Sequence, residues 1–305
     1  MKLRDRNPAD VAIDITNGDL LVKLGPFVAR IKTNVALLIV EFQEMYADFE
    51  IITRDQFADF HVEVSYEGGL RRWIKPEVRF FFDGRPSFTP LPSSQAFAML
   101  EWGLNWCVAA HCHQYLIIHA AAIEKNGYAA LLPAPPGSGK STLCAGLVMR
   151  GWRLLSDELA LYDMATGLVH GMARPINLKN RSIEVIKQFA PDARMTLPMH
   201  GTTKGTVALL RPPLTSVLQA QEPVKPTWII LPKYVAGSAP LLESHSQART
   251  FMLLAEQTFN YDLQGERGFN ALGKLVDQCK CHQFIYSQLD DAEHVFDALV
   301  NEALT

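Results

Sequence analysis

No apolar run in this 305-residue sequence approaches the ~20 residues that span a bilayer. The longest, such as Val35–Val40 and Tyr128–Pro136, stop far short, so no membrane partner is expected. Met1 to Asp10 carry mixed charge without an apolar core, so a secretory signal is not expected and cytoplasm is the expected location. Positive charge is also scarce. Twenty-nine Lys and Arg stand against 32 Asp and Glu, a net charge of −3, which leaves no broad basic field for a nucleic-acid partner. Cysteines number only five, an odd count that argues against a disulfide framework and fits a reducing compartment. Internal repeats and low-complexity tracts are missing. What is present, 48% apolar and 20% charged residues, is ordinary globular composition. That excludes disorder, coiled coil and collagen for the whole chain, and the length suits about two domains.

The first ~90 residues read mostly as strands. Phe60–Tyr66 alternates with period two, and Glu77–Phe82 runs into the turn pair Asp83-Gly84. Pro90-Leu-Pro92 then punctuates the chain, and a linking helix is expected from Ser93 or Ser94 to about His113. Its apolar residues, spaced three to four apart, suit core packing or a dimer face. The division expected is a β-rich part over 1–92 and a second domain over 93–305. Within the second, two β runs joined by Asn126-Gly127 form a hairpin signal. A Gly/Pro loop, an amphipathic helix over Lys140–Arg150 and a strand over Trp152–Ser156 follow, the grammar of an α/β core.

The loop is Ala134-Pro135-Pro136-Gly137-Ser138-Gly139-Lys140-Ser141-Thr142. It fits [Gly/Ala]-x4-Gly-Lys-[Ser/Thr], a pattern that about 2 in 100 random chains of this length would match from average composition. Strand before and helix after supply the context in which such a loop cradles phosphates with backbone N–H groups. Lys140 would meet the β/γ oxygens and Ser141 would sit on Mg²⁺. Seventeen residues beyond Lys140 come Asp157 and Glu158 at the end of a strand. One carboxylate there can complete a Mg²⁺ shell and the other can accept a proton from a hydroxyl. Arg174, Lys179 and Lys204, each in a Pro- or Gly-punctuated segment, are candidates to meet phosphoryl charge. Two Cys/His clusters, Cys107 with His111-Cys112-His113 and Cys279-Lys280-Cys281-His282, lack paired Cys-x2-Cys spacing and read as ordinary thiols.

His119, the loop Ala134–Thr142 and Gly151-Trp-Arg-Leu-Leu-Ser-Asp157-Glu158 together resemble the C-terminal catalytic domain of HPr kinase/phosphorylase. Ala173-Arg-Pro-Ile-Asn-Leu-Lys179-Asn and His200-Gly-Thr-Thr-Lys204-Gly resemble its HPr-kinase-related "kinase A" group. The resemblance spans roughly residues 115–305. It implies a P-loop kinase core of the HPr kinase / phosphoenolpyruvate carboxykinase type, using ATP and Mg²⁺ on a Ser/Thr hydroxyl of a peptide or small protein. It also tilts the expectation toward a homo-oligomer. By position it makes Asp157 the general base, Lys140 the phosphate clamp, Ser141 and Glu158 the Mg²⁺ ligands and His119 a helper. The second acid is Glu where HPr kinases carry Asp, and the glycine-rich segment those enzymes use for HPr and phosphorolysis is missing. An ATP-binding regulator that transfers nothing, or a small-molecule kinase on the same core, is the alternative expectation.

Overall fold

The computed structural model describes residues 1–69, 74–135 and 137–305. It is a mixed α/β protein with three sheets among those residues. In the N-terminal sheet the order is Ile51–Ile52, Leu20–Leu24, Phe27–Thr33, Phe60–Tyr66, Glu77–Phe82 and Arg85–Pro86, with Leu91–Pro92 also on Glu77–Phe82. Phe27–Thr33 and Phe60–Tyr66 run parallel, and a parallel pair needs a crossover. Helix Ala36–Met45 lies in that crossover. A further helix, Pro8–Asn17, is capped by Asn7 and has Pro at its first position. The N-terminal part is therefore α+β, where mostly strands were expected. Ala36–Met45 escapes a sequence reading because Val35 gives no side-chain cap and Ala-Leu-Leu-Ile-Val has the look of a buried strand.

Ser93–Gln95 form a 3₁₀ turn and the long helix begins at Ala96, ending at His111. It packs on the N-terminal sheet: Phe97, Leu100, Leu104, Cys107 and Val108 share one core with Val62, Val64, Val78 and Phe80. Contact is so close at Gly103 that a Cβ there would lie 2.2 Å from the Phe80 ring. The same core takes in Ile117, Leu159, Leu161, Met172, Val207 and Leu209 from beyond the helix, so the two parts of the chain share buried surface.

The largest sheet has the order Val169–His170, Leu159–Asp163, Tyr115–Lys125, Tyr128–Pro133, Pro226–Tyr234, Lys280–Tyr286 and Leu241–Ser244, with Arg153–Ser156 also on Tyr115–Lys125. The hairpin turn is at Asn126-Gly127, both with positive φ. Tyr128–Pro133, Pro226–Tyr234 and Lys280–Tyr286 run parallel. Parallel strands are buried on both faces. Here helices Lys140–Met149 and Leu289–Leu304 cover one face, and Gln247–Glu256 with Tyr261–Gln278 cover the other. A small antiparallel sheet of Ile176–Lys179, Gly205–Leu210 and Met199–Thr202 completes the fold. Among the described residues, no helix is long and apolar enough to cross a membrane.

Gly103→Ala tests the docking of the long helix. Its methyl must displace the Phe80 ring, so overpacking is expected to destabilise the protein by about 1–3 kcal/mol, measured by urea unfolding.

Candidate functional site

The loop after Tyr128–Pro133 turns into helix Lys140–Met149 through two glycines with positive φ, 87° at Gly137 and 93° at Gly139. Gly139 is also crowded: a Cβ would stand 2.5 Å from the Tyr286 hydroxyl. That hydroxyl donates to Gly139 O at 2.9 Å, and Tyr234 N–H donates to Ser138 O at 2.9 Å. Two tyrosines from the neighbouring parallel strands thus fix the shape of the loop. Lys140 opens the helix with its side chain buried, and its Nζ has no hydrogen-bond partner. Burial lowers its pKa, opposed by the charges of Glu158 and Asp157.

Opposite stand the two acids, held by an irregular ladder. Against strand Tyr115–Lys125, Leu154 pairs with Ile123 but Ser156 pairs with Ala122, so Leu155 is a bulge. Its freed carbonyl accepts from the N–H groups of Met172 (2.8 Å) and Ala173 (2.9 Å). A bulge re-aims the residues that follow, and this one also draws the segment that carries Arg174 and Asn177 against Asp157. Asn177 N–H donates to Asp157 Oδ2 at 2.9 Å.

The environments of the two acids differ in sign. Burial, then the neighbouring Glu158 charge, raises the Asp157 carboxyl to about 7. For Glu158 burial also raises the pKa, but Lys204, Lys179 and Lys140 outweigh it and hold the carboxyl below its ordinary value. Glu158 Oε1 lies 3.8 Å from Lys179 Nζ and 4.0 Å from Lys204 Nζ.

These groups share one cavity of about 630 Å³, lined by His119, Pro135, Gly137, Ser138, Gly139 and Lys140, by Ser141, Thr142, Glu158 and Lys179, and by Lys204. Asp157 sits behind Asn177 in its wall. Pro136, the remaining loop residue expected at the site, lies outside the described residues. His119 has a ring lowered in pKa by burial and by Lys140, and Gln257 Oε1 is 3.0 Å from its Nδ1. A neutral ring that donates from Nδ1 keeps Nε2 as an acceptor. Arg174 lies elsewhere: its guanidinium is buried against Glu101 (3.1 Å to Oε2) and Asn105, below the cavity wall and not on it.

Several residues at the site carry no sequence signature. Asn105, on the long helix, donates from Nδ2 to Glu158 Oε2 at 2.7 Å and accepts from Arg174. Glu101, one turn earlier, pairs with Arg174 and accepts from the Tyr46 hydroxyl. Between them Trp102 lies under Lys204, whose Nζ is 4.9 Å from the ring centre. Gln95 donates to His200 O at 3.0 Å and so holds the hairpin that bears Lys204. Only the i, i+4 spacing of Glu101 and Asn105 hints at a shared helix face. Asn180, Arg181 and Ser182 also line the cavity.

A second cavity of about 470 Å³ shares Gly137, Gly139, Thr142, Arg181 and Ser182 with the first. It continues between Val185, Phe189, Tyr234 and Gln288. Phosphate groups fit the first cavity: glycine-shaped backbone, an unpartnered ammonium and two further lysines are the donors that polyanions take. Ser141 and Glu158 are oxygen ligands a hard cation could use. Among the described residues no group of three or more His, Cys, Asp or Glu could hold a metal ion, and all five cysteines are buried and free. Mg²⁺ commonly binds with few protein ligands, completed by phosphate and water. Compared with known proteins, the chain matches no family model and no curated relative.

With burial and Glu158 both opposing its ionisation, Asp157 is expected to titrate near pH 7 in the ligand-free protein. Burial and the Glu44 charge also raise Glu41 to about 7, so carboxyl-carbon NMR between pH 5 and 9 should show both groups, protonated below and ionised above. Asp157→Asn should remove the aspartate signal and leave that of Glu41.

Proposed function

We propose that this chain is an ATP-dependent phosphotransferase that passes the γ-phosphoryl group to a Ser or Thr hydroxyl of a peptide or small protein. We read its core as the HPr kinase / phosphoenolpyruvate carboxykinase type of P-loop kinase. One observation carries this reading. Across the cavity from a buried, unpartnered Lys140 ammonium stands Glu158, with Asp157 next to it behind the wall, and their surroundings drive the pKa values of these two adjacent carboxyl groups apart. Such a divergence assigns different tasks to the pair. Asp157, poised at about 7, suits a general base. Glu158, kept ionised by three lysines, suits a metal ligand.

In this mechanism the backbone of Gly137–Lys140 cradles the phosphate chain, and Lys140 meets the β/γ oxygens. Ser141 and Glu158 would hold Mg²⁺, which when bound offsets charge on the phosphoryl oxygens. Asp157 takes the proton of the acceptor hydroxyl as that oxygen bonds to the γ-phosphorus and the bond to the β-phosphate oxygen breaks. Lys179 and Lys204 face the charge carried by the transferring group. Arg174 acts at one remove: with Glu101 and Asn105 it supports the wall that carries Glu158.

The test uses γ-labelled ATP, Mg²⁺ and a cell extract. Label on one extract protein or peptide is expected with wild type, and Asp157→Asn should lower the transfer rate by about 10²–10⁴ while still binding MgATP. Label released as free phosphate or found on a small molecule would favour a small-molecule kinase or NTPase. ATP held by both proteins without transfer would favour a regulatory ATP-binding module. Since Asp157 must be ionised to act, the wild-type rate should climb about tenfold per pH unit below about 7 and level off above it.

Asn105→Ala removes the donor that orients Glu158. The Mg²⁺ concentration for half-maximal rate should rise about 10–100-fold, the size of loss found when a partner of a metal ligand is removed. Titration of activity with Mg²⁺ at saturating ATP measures it.

A further inference from the structure

Asn177 forms part of the cavity wall. It sits in strand Ile176–Lys179, whose alternation sends Ile176 and Leu178 into the core under helix Lys140–Met149. Asn177 borders the cavity and is 4% exposed. Its backbone N–H is used, donating to Asp157 Oδ2. Its side chain is not: both Oδ1 and Nδ2 are buried without a hydrogen-bond partner. A carboxamide buried with donor and acceptor both unpaired destabilises a fold, and an apolar group of similar shape would be neutral or better there. The only other side chain of this cavity with an unpartnered buried polar atom among the described residues is Lys140. One ligand can satisfy both.

The two cavities give that ligand a direction. The second one, with Phe189, Val185 and Tyr234 beside Gln188 and Gln288, has the apolar walls and scattered polar groups that suit a nucleoside. It reaches the loop at Gly137, Gly139 and Thr142. Lys140, Glu158, Lys204 and Asn177 border the first cavity alone. Lys140 and Asn177 thus both lie on the cavity that continues from the second one past Thr142.

We propose that the Asn177 side chain binds the terminal phosphoryl group of a nucleoside triphosphate, with Nδ2 donating to a γ-oxygen, and so discriminates triphosphate from diphosphate. This rests on the nucleotide-binding reading above and adds the residue that recognises the γ-phosphoryl group. Asn177 would thereby hold that group in front of the carboxyl its own backbone N–H positions.

Calorimetric titration of the full chain with MgADP and with the magnesium complex of the β,γ-imido analogue of ATP tests the proposal. Wild type is compared with Asn177→Leu and Asn177→Ala. Both variants keep the backbone N–H to Asp157, so a role limited to supporting Asp157 predicts no change in either affinity. The expected result is a loss of about tenfold for the triphosphate analogue and a change under about twofold for MgADP. Thermal melting should show Asn177→Leu at least as stable as wild type, and Asn177→Ala guards against a misfolded leucine variant. Equal loosening of both nucleotides, or of neither, overturns the proposal. Wild type that binds MgADP and the analogue equally also overturns it, while leaving nucleotide binding intact. Wild type that binds neither nucleotide overturns the nucleotide reading and the proposal together.

Discussion

Two adjacent carboxyl groups taken out of water set the terms for everything around them. Like charges at that separation repel, and burial penalises each. The structure meets this in two different ways. Glu158 is given cations, with Lys179 and Lys204 close to one oxygen and an amide N–H from Asn105 on the other. Asp157 is given a backbone N–H and a deeper position, and its proton is held up to about 7. The lysines are then needed in place whether or not a ligand is present. Trp102 beneath Lys204 and the hairpin tied to Gln95 keep one of them there.

That arrangement explains why the N-terminal part and the large sheet share a core. The long helix faces the N-terminal sheet with Phe97, Leu100 and Leu104 and faces the acids with Glu101, Trp102 and Asn105. Arg174 is clamped between Glu101 and Asn105. Burial opposes its charge, but Glu101, Tyr46, Asp157 and Glu158 together outweigh burial and raise its pKa. A buried guanidinium of this kind contributes little net stability against an apolar replacement but tolerates no loss of its partner. It therefore makes the relative placement of the two parts specific.

What could be read in the sequence was what local spacing encodes. The glycine loop, the Asn126-Gly127 turn and the acids Asp157 and Glu158 all declare themselves within a few residues, and the strands and helix about them lie where that spacing put them. Asn105 and Asn177 did not, because a polar residue inside an apolar helix or strand has meaning only through partners 53 and 20 positions away. Arg174 shows the converse. A Pro-punctuated arginine downstream of an acid strand looks like a phosphate contact, and only the folded chain shows that its buried fork meets Glu101 and Asn105 and does not line the cavity. The helices Pro8–Asn17 and Ala36–Met45 both stand where mostly strands were expected, the first although Asn7 and Pro8 mark its start, the second without a polar cap to mark it.

The bracing of the glycine loop by Tyr234 and Tyr286 has a consequence for the order in which the protein is made. The hydroxyl that fixes Gly139 belongs to a residue 147 positions further along, on the strand paired beyond Pro226–Tyr234. A chain leaving the ribosome carries the complete Ala134–Thr142 segment long before it carries the strand that gives that segment its shape. The shape of the loop is thus a property of the finished sheet, and nascent or C-terminally truncated chains that end before Tyr286 hold the segment without the contact that fixes Gly139.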